Sequence, residues 1–357
     1  MLKIKFIREI FSAEIKLEKQ IQNLKNKYMK QRLEFIDASK ALAILLVIVG
    51  HCYWKSSLSI ATPAIYSFHM PLFFIISGMF IKALSIKESL LKYSKNYLKS
   101  YFVGGVLCLI FNVLYDIVNG LDFASASKDV VIALFFCKGS VDNSIFGGYP
   151  AIGPLWFLFA LFWGCLIVSS LKKYINSGIT QFLIVILLFA VSYVTLPKIR
   201  LPLCIQLGMS CSLYIWIGSM IKQYDLLNIF EQSKLSIVSS LLLWALSIYG
   251  GSLYMNAGSF GLGLISIIAS VCATLLVFCA FKKTKFNGGW IGRNTLVILC
   301  VHSAILYSLT IDNPMRRLSF HPILNYGIEI VIQVGLSLAL SYALSYIPIV
   351  KYILKIH

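Results

Sequence analysis

Two histidines and a lysine set in apolar sequence are the residues of this chain best suited to chemistry. Lys40 precedes His51 by eleven residues within FIDASKALAILLVIVGHC, and His69 follows in FHMPLFFIISGMF. At helical rise that separation is about 16 Å, half the thickness of a bilayer's hydrocarbon core. A cation at one membrane face would then share a helix with an imidazole held deep in the protein. Ionisable groups at such depth are costly, so they mark function by default. Imidazole is also the side chain best matched to proton transfer near neutral pH. The competing reading is a histidine satisfied by a nearby hydroxyl or carbonyl. For His51 the alignment with Lys40 and Asp37 weighs against it. A third histidine, His302, lies nine residues beyond Arg293. His321, in a loop, and His357, at the terminus, read as bland.

Lys40, Lys95, Lys99 and Arg293 could converge on one face and hold the phosphates of a soluble donor. Asp37 and Asn294 could orient them. Orientation of the chain in a membrane explains Lys95 and Lys99 equally well. Ser77, beside Gly78 in the second span, is a weak candidate nucleophile or contact. The stretch DNSIFGGYPAIGPLW, from Asp142 to Trp156, could stack on carbohydrate, and an interfacial aromatic belt accounts for the same residues. The nine cysteines are scattered with no metal-ligand spacing, so no metal is expected. Buried cysteine behaves as a small hydrophobe.

These residues need a membrane bundle to position them. The chain has 357 residues, 59% hydrophobic and only 13% charged, with a mean hydropathy of +0.82. Soluble domains carry about a quarter charged residues, so an all-α polytopic membrane protein is expected. The net charge of +18 does not indicate nucleic-acid binding, because the cations flank apolar spans and form no basic domain. Ten spans are expected, near 37–55, 64–84, 101–120, 152–171, 178–197, 203–222, 235–255, 259–281, 294–311 and 326–349. The apolar run 130–137 is too short to cross and reads as re-entrant. With both termini cytoplasmic, the outside cations are Lys55, Lys128, Lys138, Lys198, Arg200, Arg316 and Arg317. All others fall inside, as the positive-inside rule requires.

Three segments follow. Residues 1–34 form a basic stretch with helical apolar spacing, suited to an anionic cytoplasmic leaflet or to a solvated helix. Charge throughout that stretch predicts no cleavable signal peptide. Residues 35–350 form the transmembrane domain, and 351–357 a short cytoplasmic tail.

The chain resembles the acyltransferase-3 family of integral membrane acyltransferases, in particular its fucose 4-O-acetylase-like branch. Four stretches carry the likeness: IDASKALAILLVIVGH at 36–51, FHMPLFFIISGMF at 68–80, GPLWFLFALF at 153–162 and WIGRNTLVILCVH at 290–302. The family usually has arginine where this chain has Lys40, which keeps the charge and loses the bidentate fork. The resemblance implies transfer of an acetyl group from cytoplasmic acetyl-CoA, a co-substrate, to a hydroxyl of a lipid-linked or cell-surface polysaccharide such as capsule or O-antigen. It implies a bacterial inner or plasma membrane. On that reading Lys40 and Arg293, helped by Lys95, Lys99 and Asp37, hold the phosphates. His51 is the general base or takes the acetyl group itself, and His69 orients it or stabilises the oxyanion. His302, Trp156, Asp142 and Ser77 are lesser candidates for acceptor contact. The rival is a proton-coupled transporter or polysaccharide translocase, with Asp116 and Glu329 as relay groups.

Overall fold

The computed structural model describes residues 34–52, 61–137, 151–251, 253–284, 286–308 and 322–354. The basic stretch before residue 34, Asp142, His321 and the last residues of the tail lie outside them. The described chain is helical apart from short turns and one two-residue strand pair. Six helices are long and apolar enough to cross a bilayer, and one bent pair would add a seventh. Their outward faces are apolar, with Leu183, Leu187 and Val194 exposed on one helix. Serine and glutamine turn inward instead: Ser192 bonds Ser210 and the Gln206 carbonyl of a neighbouring helix. Apolar outside and small polar inside is the pattern of helices packed in lipid. The chain is a polytopic all-α membrane protein.

In order, α1 covers residues 34–51, α2 Ala61–Tyr66, α3 His69–Met79, α4 Ile86–Tyr93, α5 Lys99–Asn119 and α6 Phe123–Phe136. Then come α7 Trp156–Tyr174, α8 Gly178–Thr195, α9 Ile205–Gln223, α10 Leu226–Gln232 and α11 Lys234–Tyr249. The last are α12 Leu264–Thr284, α13 Gly289–Arg293, α14 Thr295–Ser308, α15 Pro322–Leu344 and α16 Pro348–Leu354.

The structure departs from the ten expected spans at particular places. The stretch 64–84 is two helices, because the chain breaks at Ser67 and Phe68 and Pro71 cannot donate to the turn before it. At eleven residues α3 rises about 16 Å, half a bilayer core. The apolar run 235–255 ends at Tyr249 and gives way to a turn and the strand pair Leu253–Tyr254 and Ser259–Phe260. Helices α10 and α11 meet at 97°. The run at 130–137 belongs to α6, which folds back along α5 so that Leu134 lies over Gly105 and its carbonyl accepts from Tyr101. Ser85 and Glu88 close a capping box that starts α4, and a π-turn at Ser94–Leu98 joins it to α5.

Side-chain contacts set the relative direction of the helices. The middle of α7 meets the residues that lead into α9 through Trp163 and Leu203, and their ends meet through Lys172, Ser219 and Gln223. These two run parallel. Ser169 accepts from Leu84 and donates to the Lys82 carbonyl, so the far end of α3 lies beside the far end of α7. One end of the bundle thus carries Lys82 and Lys172. The other carries His69 and the start of α9.

Three close approaches hold the central helices. A Cβ on Gly78 would run into the Ile215 carbonyl, and one on Gly218 into the Ile75 carbonyl. Helices α3 and α9 therefore touch backbone to backbone. Gly288 and Gly292 in the same way seat α13 on the Asp37 carbonyl at the start of α1. Gly218→Ala is expected to lower stability by about 1–3 kcal/mol, through overpacking. Thermal unfolding in detergent checks this. Gly327→Ala, where a Cβ meets open space on α15, should leave the melting point unchanged or raised.

Candidate active site

One cavity of about 150 Å³ connects the residues that the sequence singles out. Lys40, Ile44, Val47 and His51 line it along α1, and His69, Phe73 and Ser77 along α3. Trp156 and Phe157 at the start of α7, Thr295 at the start of α14 and Asn256 from the turn between the strands close it. Its walls are mostly aliphatic and aromatic, which excludes water and strengthens each polar contact inside.

At one end Lys40 bonds Asp37 at 2.7 Å, with both side chains about a quarter exposed. The close seat of Gly288 and Gly292 on the Asp37 carbonyl fixes this turn of α1. Arg293, the next residue, is exposed at the end of α13 and does not line the cavity. Lys95 is exposed on the π-turn, and Lys99 lies with its ammonium 4.6 Å from the centre of the Tyr352 ring. Neither lines the cavity. Of these four cations, Lys40 is the one that lines the cavity.

At the other end stand the two histidines with Tyr66 between them. The Tyr66 ring lies parallel to that of His51 at 6.5 Å and edge-on to that of His69 at 5.1 Å. Its hydroxyl donates to the Gly50 carbonyl at 2.9 Å and ties α2 to the last turn of α1. His69 is 2% exposed, and its Nδ1 lies 2.7 Å from the Ile65 carbonyl. A carbonyl only accepts, so Nδ1 carries the proton and Nε2 is left as the acceptor. At the break before α3 the same carbonyl takes only a long 3.5 Å bond from the Phe68 backbone N–H, so the imidazole is its near partner. The Nδ1 of His51 is buried with no hydrogen-bond partner among the described residues. A buried acceptor without a partner costs less than a buried donor without one. The proton of His51 therefore belongs on Nε2.

His302 is fully buried, 5.7 Å from His51 ring to ring and edge-on to it. It does not line the cavity but backs the His51 ring. Ser77 lines the wall with its hydroxyl given to the Phe73 carbonyl at 2.9 Å. Trp156 lines the wall and is buried. The rival relay carboxylates lie elsewhere. Asp116 accepts from Asn112 and Glu329 from Gln333, each on its own helix and away from the cavity.

A family model described as an acyltransferase domain matches residues 33–347, nearly the whole chain. The chain belongs to the acyltransferase-3 family. No curated protein and no solved structure matches it. This membrane acyltransferase thus sets its polar residues at the two ends of one apolar cavity.

Tyr66, Tyr97, Thr295 and Asn256 line the cavity and were not anticipated from sequence. Tyr66 had a signal, standing three residues before His69 at a helix break. Asn256 had none, because the turn that holds it reads as the edge of an apolar span. Tyr66→Phe keeps the ring and loses the bond to Gly50. Initial rates of acyl transfer in isolated membranes should fall up to about tenfold. Tyr66→Ala, which also opens the wall, should fall further.

Proposed function

We propose that this acyltransferase moves an acetyl group from cytoplasmic acetyl-CoA to a hydroxyl of a lipid-linked or cell-surface polysaccharide. The observation that carries the reading is a single cavity with a lysine at one end and two oriented imidazoles at the other. The helix directions favour a cytoplasmic Lys40 end, since Lys82, Lys92, Lys172 and Lys173 gather there, with Lys128, Lys198 and Arg200 at the opposite end. Phosphates of the donor would be held at Lys40, with Arg293 nearby at the surface and Asp37 steadying the lysine. The acyl thioester would then lie along Ile44, Val47 and Phe73 towards the imidazoles.

The hydrogen-bond pattern supports a division of labour opposite to the sequence expectation. His69, its proton held on Nδ1 by Ile65, offers Nε2 to the acceptor hydroxyl and takes its proton as general base. The alkoxide attacks the thioester carbonyl. His51 offers its Nε2–H to the oxyanion that develops. The tetrahedral intermediate collapses, the C–S bond breaks, and the His69 proton passes to the leaving thiolate. Products are the sugar ester and free CoA, with no covalent acyl-enzyme. The sugar would enter from the His51 end, where Trp156, Tyr66 and Asn256 line the wall. A bacterial plasma membrane suits a lipid-linked or surface glycan acceptor.

Paired substitutions test the assignment. His69→Gln removes the base and should lower kcat about 10²–10⁴-fold. His51→Ala should cost about 10²–10³-fold. His51→Gln should cost clearly less, because the amide supplies an N–H near the position of Nε2. Equal losses for His51→Gln and His69→Gln would refute the division. The wider reading is checked in cells. A strain lacking the gene should display surface glycan that has lost its O-acetyl groups. Glycan trapped inside the cell would favour a translocase instead.

A further inference from the structure

Two cysteines outside the cavity meet at the His51 end of the bundle. Cys137 ends α6 and Cys204 opens α9, 67 residues apart, with their sulfurs 3.7 Å from each other. The Cys204 thiol donates to the Cys137 carbonyl at 2.7 Å, and both residues are buried. The backbone is arranged to bring them together. Cys137 has φ 45°, Leu203 φ 58° and Cys204 φ 51°, all in the left-handed region that non-glycine residues seldom adopt. Such conformations persist where the surroundings over-determine them. Leu203 is fixed by Trp163, which donates to its carbonyl at 2.9 Å.

We infer that Cys137 and Cys204 are a disulfide site, closed when the His51 end of the bundle faces an oxidising compartment. A bond needs the sulfurs at about 2.05 Å, so they must approach from the 3.7 Å seen here. Oxidising surfaces preserve such bonds and a reducing cytoplasm does not. Both thiols are covered in the folded chain, so the exchange belongs to folding, before α6 closes over the start of α9. The Cys204 thiolate attacks the disulfide of a thiol oxidant and releases one of its sulfurs as a thiolate. The Cys137 thiolate then attacks Sγ of Cys204, forms the internal S–S bond and releases the second sulfur. Two thiols are oxidised, one oxidant disulfide is reduced to two thiols, and the two cysteine protons go to water. The bond would clamp the α5–α6 hairpin to α9 beside Arg200. That residue donates from Nη1 to the Asn256 carbonyl at 2.6 Å and so holds the turn over the cavity.

Differential labelling of the full chain in its native membrane tests this. Cells are quenched with acid and denatured in detergent with a light maleimide. The protein is then reduced, labelled with a heavy maleimide and read by mass spectrometry of its peptides. Cys137 and Cys204 are expected to carry the heavy label and the other cysteines the light one. In a Cys137→Ser chain, Cys204 should switch to the light label. Light label on both in the wild-type chain overturns the proposal. So does heavy label on Cys204 in the variant, which would mean a different partner.

Discussion

The site depends on the Ile65 carbonyl at a helix break, which fixes the imidazole of His69. Between Tyr66 and His69 the chain leaves helical geometry, and Ile65 accepts the imidazole proton of His69 at 2.7 Å beside a long 3.5 Å bond from the Phe68 backbone N–H. The imidazole bond holds the His69 ring against turning and fixes its tautomer. The ring so held lines the largely apolar cavity beside Tyr66. Trp244 donates to the Ser67 hydroxyl at 2.8 Å and steadies the break from a neighbouring helix.

The bundle carries this arrangement through contacts that admit no side chain. Glycines let α3 meet α9, and α13 meet the start of α1, at backbone distance. Lys40 and His51 stay on one wall because α1 runs without a break between them, and His302 fills the space behind His51. Donor phosphate and reacting carbonyl would thus be held at a separation fixed by helical rise.

Much of this was legible in the sequence because the periods are strong. Apolar runs of membrane length, the flanking cations and the spacing from Lys40 to His51 all follow from one-dimensional pattern. Membrane character and the residues of α1 and α3 in the cavity came from that pattern. The pairing of distant cations did not. Charge near a span end says which side a loop occupies and nothing of where the side chain points. So Arg293 is exposed, Lys95 faces outward and Lys99 rests over Tyr352. Pro71 was visible, but the bond from His69 to Ile65 goes with the non-helical turn at Phe68, which hydropathy does not report. Asn256 and the strand pair came from a turn written in nearly apolar residues.

The most direct measurement is a structure of the protein with a non-hydrolysable acetyl-CoA analogue bound. The account predicts phosphate density beside Lys40 and the analogue's carbonyl oxygen within hydrogen-bond reach of His51 Nε2, with His69 Nε2 facing the space for the acceptor hydroxyl. Nucleotide bound elsewhere, with that cavity filled by lipid or by side chains, would contradict it.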